Sequence, residues 1–139
     1  MSKKSPKIAA LIQSFEGQPW PAHYLGYFAC FNEGLFYEAH DVLEELWLAE
    51  RGGPRDGFYK GLIQFAGAFV HLQKGRLRPA AALFRLSQSY LGRYPDRFDG
   101  LDLARVRSLA DEWVASLETN GFADNPLPRN GPPRLNMEG

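Results

Sequence analysis

The sequence predicts an all-α fold: a single-domain helical bundle of about five or six helices, followed by an irregular, Pro-rich C-terminal tail. Three observations carry that reading. Apolar residues recur at i, i+3, i+4 and i+7 along separate stretches, and no strand-like alternation of useful length is visible. Gly and Pro fall between those stretches, at intervals that suit short helices. The chain has 139 residues, of which 45% are apolar. A chain of that length buries roughly two-thirds of its unfolded surface, so one core forms without disulfides.

Residues 8–15 are a modest amphipathic stretch. Pro19-Trp20-Pro21 is a stiff connection, because each Pro fixes φ and turns the preceding residue away from helix. In residues 22–32, Leu25, Phe28, Ala29 and Asn32 share one side, and Gly34 sits where a helix C-terminus expects it. Residues 35–50 are the clearest amphipathic helix, with Leu35, Ala39, Val42, Leu43 and Leu46 as its stripe. Gly52-Gly53 ends it, and Pro54 suits the opening of the next segment. Residues 58–74 are apolar around most of the circumference, the mark of a buried central helix. Gly75 ends that one. Residues 79–91 place Ala80, Leu83, Phe84, Ser87 and Leu91 in phase. Asp102 caps residues 103–119, whose stripe is Leu103, Val106, Leu109, Ala110, Trp113 and Leu117. The helical domain is read as 1–121, with a family-like core at 22–103. From Phe122 on, four of the ten prolines fall together, so 122–139 are expected to be extended, packed on the surface or disordered.

Charge and composition exclude several functions. Lys+Arg and Asp+Glu number 16 each, without the basic excess of a nucleic-acid binder or a polybasic membrane anchor. The most apolar stretch, 62–72, contains Gln64 and His71 and falls short of the roughly 20 residues of a membrane span. Cys30 is the single cysteine, which suits a reducing compartment and a small core hydrophobe. No apolar stretch of signal-peptide type follows the N-terminus. A cytoplasmic protein is therefore expected, with a small molecule as partner and neither nucleic acid nor membrane. A homodimer is also expected, since closed dimers are the commonest oligomers.

One helix carries a chemical signal. At about 100° per residue, His40 and Glu44 fall on the rim of the buried face of helix 35–50, beside Phe36 and Trp47. Asp41, Glu45 and Glu38 fall on the outer acidic face. In helix 58–74, Gly61 and Ala68 continue from Gly57 as a narrow stripe of small residues, interrupted by Gln64 and His71. A short connection makes antiparallel contact the default for the two helices. That contact would gather His40, Glu44, Gln64 and His71 into one polar pocket walled by Phe36 and Trp47. His40 and Glu44 are spaced to place two ligands on one metal ion, with His71 as a third and water at the open position. The alternative is a structural network in which Glu44 accepts from His40, and Gln64 and His71 satisfy each other or the backbone. Ligating histidines must be neutral, so such a metal site weakens as pH falls through about 6.5.

Residues 31–47 read F-N-E-G-L-F-Y-E-A-H-D-V-L-E-E-L-W, followed by Gly61-Leu62-Ile63-Gln64 and His71. This pattern resembles the small helical family catalogued as domain of unknown function 309. The resemblance implies an all-α bundle and a grouping with metal-dependent hydrolases, without an established substrate. Its motif residues are Glu38, His40, Glu44, Trp47, Gln64 and His71, and Asp41 stands where the motif often has Glu.

Three readings follow. In the first, the protein is a metal-dependent hydrolase of a small substrate and takes one divalent metal ion of open identity. His40, Glu44 and His71 are then the ligands, with Glu44 alternatively the general base, and Gln64 orients water or substrate. Phe36, Glu38 and Trp47 belong to the pocket. In the second, the protein is a non-enzymatic binding or dimerisation module, and the polar cluster is structural. In the third, His40, Glu44 and Gln64 anchor a small organic ligand. Glu38, away from the His40 face, is expected to pair with a cation such as Lys60, Arg85 or Arg105. His23 is expected to be exposed, and Lys74, Arg76 and Arg78 to form a solvated turn.

Overall fold

The computed structural model describes residues 6–137; the N-terminal signal reading rests partly on residues 1–5, outside them. Among the described residues the chain forms seven helices and one minimal hairpin. The elements are α1 (Pro6–Ser14), α2 (Ala22–Asn32), α3 (Phe36–Ala49), α4 (Asp56–Gln73), α5 (Leu77–Leu91), β1 (Arg97–Phe98), β2 (Leu101–Asp102), α6 (Leu103–Thr119) and α7 (Pro126–Asn130). The six helices expected from apolar periodicity are all present. None of them is long and apolar enough to cross a membrane.

α4 is the centre. Eleven of its residues are buried, and neighbours close on it from several sides. α3 and α5 pack along it. Tyr27 of α2 donates its hydroxyl to the Leu62 carbonyl at 2.6 Å. Trp113 of α6 meets Phe69 edge-on at 5.0 Å. Phe31, Phe36, Phe65, Phe84 and Trp113 ring Phe69 at centroid distances of 5.0 to 5.4 Å. Edge-to-face and offset pairs of this kind add about 0.5–1.5 kcal/mol each beyond simple burial.

The stripe of small residues on α4 seats α5, where contact with α3 was expected. A Cβ on Gly61 would lie 2.5 Å from Leu91 Cδ2, and one on Gly57 would lie 3.1 Å from the Tyr94 hydroxyl. Ser87 of α5, fully buried, donates to the Gly61 carbonyl at 2.7 Å. The missing side chain at Gly61 is what lets Leu91 and the Ser87 hydroxyl of α5 come this close to the α4 backbone.

The link from α2 to α3 explains the F-N-x-G motif. Gly34 has φ +78°, donates to the Phe31 carbonyl, and is followed by Leu35 donating to the Cys30 carbonyl, both at 2.9 Å. These are the two bonds of a Schellman ending, which needs a residue that tolerates left-handed backbone. Asn32 then grips the tail: its Oδ1 accepts from the Leu135 N–H and its Nδ2 donates to the Leu135 carbonyl, each at 2.7 Å. Leu135 is buried. The tail therefore departs from the irregular reading at α7, which Asn125 caps by accepting from Leu127 N–H at 3.0 Å. Asn125 Nδ2 also donates to the Leu72 carbonyl near the end of α4, at 2.6 Å.

The hairpin pairs Arg97 with Asp102 and Phe98 with Leu101. Its turn is Asp99-Gly100, with φ of 49° and 74°, the signs a two-residue primed turn requires. Asp99 pins it twice, accepting from Arg55 Nε at 2.6 Å and giving its carbonyl to the Tyr24 hydroxyl at 2.8 Å.

Candidate functional site

α3 and α4 are fastened at one end by Asp56. Its Oδ1 accepts from the Trp47 indole at 2.5 Å, and its Oδ2 accepts from the Gly52 N–H at 3.0 Å. These two donors, the indole first, hold the Asp56 carboxyl below its usual value. The bond orients Trp47, so the indole of the L-E-x-x-W pattern stands as a fixed post.

Between α3 and α5, with α4 as floor, runs a groove of about 310 Å³. α3 contributes His40, Glu44 and Trp47, α4 contributes Lys60, Ile63, Gln64 and Gly67, and α5 contributes Leu83. A second lobe of about 210 Å³ shares His40, Gly67 and Leu83 and adds Tyr37, Val70, His71 and Lys74. Gly67 keeps the floor open: a Cβ there would lie 3.3 Å from Leu83 Cδ1 and 3.8 Å from His40 Cδ2. On α4 the floor is one helical face, with Lys60, Gln64, Gly67 and His71 at i, i+4, i+7 and i+11. A slightly larger cleft of about 340 Å³ lies between α6 and the tail, but Glu112 is its one ionisable residue.

Two atoms in this groove lack partners. Gln64 Oε1 and His71 Nδ1 are buried and accept or donate no hydrogen bond. A buried polar atom left so costs about 1–3 kcal/mol, and such a cost persists where a ligand satisfies the group. Gln64 and His71 therefore do not satisfy each other.

Around His40 the acidic neighbour is Asp41. His40 Nδ1 lies 3.4 Å from Asp41 Oδ1, and one ligand atom from each of His40, Asp41 and Glu44 falls within 4.8 Å of the others. All three are half-buried. This corrects the placement of Asp41 on the outer face. A helical projection locates Cβ atoms, whereas the long imidazole reaches back over the sector of its neighbour. His71 is outside this group and occupies the second lobe with His40.

Further expectations are corrected. Phe36 is 2% exposed and stacks on Phe69 at 5.0 Å and meets Phe31 edge-on at 4.9 Å, so it belongs to the core and not to the groove wall. α3 packs on α2 as well as α4, which widens its buried arc past the stripe centred on α4. Glu38 is outside the groove too. It faces Cys30, where its charge and burial, burial foremost, push the thiol up to about 11. The cations expected to pair with Glu38 are engaged elsewhere: Arg85 with Glu118, Arg105 with the Arg134 carbonyl, and Lys60 with two rings. Cys30 is fully buried, and a thiol this hard to ionise is a core hydrophobe. His23 is half-buried, 3.9 Å from Glu45. Lys74, Arg76 and Arg78 are exposed, and Arg78 covers the Phe122 ring at 4.3 Å.

His71 has a proton affinity below the ordinary imidazole value, through burial first and then Arg76 and Lys74. The unfolded chain binds that proton more readily than the folded one, so stability rises with pH in the window just below 6.5. Between about pH 5 and 6.5, urea unfolding of the wild type is expected to lose stability more steeply than unfolding of His71→Gln. Equal slopes would show that the folded state leaves His71 unperturbed.

Residues 24–83 match the model of a family described as Domain of unknown function (DUF309). An uncharacterized protein of Aquifex aeolicus (strain VF5) is 30% identical over 88 residues, which is 63% of this chain and 26% of that relative. The chain thus spans about a quarter of that relative's length. The match begins at Tyr24 and ends at Leu83, and it contains every residue that lines the groove.

Proposed function

We propose that this chain, whose residues 24–83 belong to the DUF309 family, is a metal-assisted hydrolase of a small molecule held in the groove between α3 and α5. The observation that carries the reading is the gathering of His40, Asp41 and Glu44 within 4.8 Å; His40 and Glu44 line the same groove as Gln64, whose buried Oε1 has no partner. One imidazole and two carboxylates suit a divalent cation of hard or borderline character, and the set offers no thiolate to a soft one. The donor set thus fits the metal that the resemblance implies, with Asp41 taking the place first given to His71. A divalent cation, when bound, supplies Lewis acidity and makes water acidic enough to be a nucleophile near neutral pH.

The chain's own residues do the rest. Gln64 Oε1 accepts a hydrogen bond from an N–H or O–H of the substrate and orients it. His71 Nδ1 meets a polar group in the second lobe. Ile63, Leu83 and Trp47 present apolar surface that excludes water from the reacting end. A volume near 310 Å³ is at the lower end for small-molecule sites, so a small substrate is the match.

The structural-network alternative has less support, because the network does not close: two of its buried atoms lack partners and its His40–Asp41 contact is long, at 3.4 Å. Chelator-treated protein titrated calorimetrically with Mn²⁺ or Zn²⁺ separates the readings. One equivalent is expected to bind, and His40→Ala is expected to abolish that binding while melting within a few degrees of wild type. Absence of stoichiometric binding of either ion, with a large drop in melting temperature for His40→Ala, would overturn the hydrolase reading and favour the network.

A further inference from the structure

We propose that the molecule taken by this groove is a small organic anion, an apolar body carrying a carboxylate or phosphate, and that Lys60 is the residue that selects it. The inference rests on the groove being the substrate site.

Lys60 lines the groove one turn before Gln64 on the same face of α4. Its ammonium lies 5.0 Å from the Tyr90 ring centroid and 5.7 Å from that of Trp47. One ring comes from α5 and the other from α3, and the indole is itself fixed by Asp56. The two ring faces hold the ammonium, and Asp56, one turn earlier on α4, is the carboxylate within its electrostatic reach. Ring faces attract its charge but accept its N–H bonds poorly, and an ammonium has three donors to place.

The lining points the same way. Glu44 is the one carboxylate of the main lobe and belongs to the proposed metal set, and Lys60 is the cation of that lobe. A cation set between low-dielectric walls attracts anions. The remaining wall, Ile63, Leu83 and Trp47, is apolar, which calls for an apolar body. Gln64 is rooted four residues, about 6 Å, further along α4, and its Oε1 calls for an N–H or O–H donor next to the anionic head. Arg78, exposed and outside the lining of both lobes, serves as the control cation.

The test uses the purified full chain, chelator-treated and again with Mn²⁺, titrated with phenyl phosphate, phenylacetate and the neutral phenylacetamide, and followed by amide NMR shifts. At least one of the two anions is expected to shift groove resonances, with the amide at least about tenfold weaker. Lys60→Met is expected to weaken anion binding at least about tenfold, while Lys60→Arg and Arg78→Met retain it. Binding of phenyl phosphate alone, of phenylacetate alone, or of both supports the proposal and identifies the head group. The proposal is overturned if phenylacetamide binds as well as the anions, if Lys60→Met binds like wild type, or if no probe shifts groove resonances. Should Lys60→Met fail to fold, the comparison of anion with amide and the Lys60→Arg variant still decide. Lys60-dependent anion binding without stoichiometric metal would remove the hydrolase reading alone, and metal binding without anion preference would remove this one alone.

Discussion

Phe69→Ala is expected to destabilise the chain by about 3–5 kcal/mol and to lower its melting temperature by roughly 10–15 °C. Phe69 is fully buried and is met by rings from four other elements and its own. Phe31 of α2 lies at 5.4 Å, Phe36 of α3 at 5.0 Å, Phe65 at 5.3 Å, Phe84 of α5 at 5.2 Å and Trp113 of α6 at 5.0 Å. Rings cannot collapse into the vacated space without breaking their other contacts, so the cavity stays open and the cost falls at the upper end. A domain with ordinary stability of about 5–15 kcal/mol loses a large fraction of it. Tyr37→Ala is the control: Tyr37 is 52% exposed and its loss is expected to stay within about 0.5 kcal/mol. Denaturant unfolding of the two variants beside wild type checks both numbers. A Phe69→Ala cost below about 1 kcal/mol would mean that α4 is not the hub of the core.

The central place of α4 was legible because its apolar residues run right round the helix, and only a helix covered on several sides can use such a pattern. The helix ends were legible for a similar reason. Gly34, Gly75 and Gly121 follow periodic stretches, and positive φ at those points is what Gly alone adopts freely. The hairpin was not read, although Phe98-Asp99-Gly100-Leu101 carries the Asp-Gly signal of a primed turn. Two-residue strands are too short to show alternation, so turn chemistry was the sole clue. The tail was misread at α7 because its prolines mask a helix of five residues, and Pro at a first helical position is compatible with helix.

The candidate site was half legible. His40, Glu44, Gln64 and Trp47 do line one groove, since i, i+4 spacing on each helix survives folding. What periodicity could not supply was the partner of each face. The small residues of α4 belong to α5, so the face that meets α3 is rotated towards Lys60, Gln64, Gly67 and His71. That i, i+4, i+7, i+11 set was readable in the sequence once the small stripe had been assigned to another helix. Phe36 falls in the core because α3 packs on α2 as well as α4, and the stripe of one helix does not show how many partners it has. The same helix that anchors the core through Phe69 thus presents the groove floor through Gln64 and Gly67.

The choice between Asp41 and His71 as third ligand gives the second large effect. Asp41→Asn is expected to weaken Mn²⁺ or Zn²⁺ binding by at least about 100-fold, because even losses outside the ligand shell cost about 10–100-fold. Asn keeps the shape of the side chain but removes the charge that a divalent cation needs most. His71→Gln is expected to change the affinity less than about tenfold, since His71 lies outside the group that converges within 4.8 Å. Neither change is expected to cost much stability. The His40–Asp41 contact is long and partly exposed, with side chains 31% and 16% accessible, and such pairs contribute about 0–1 kcal/mol. Calorimetric titration of both variants at about pH 7.5, above the ordinary histidine range, keeps imidazole protonation out of the comparison. The reverse order, with His71→Gln abolishing binding and Asp41→Asn retaining it, would assign the third ligand to the second lobe and return Asp41 to the acidic face.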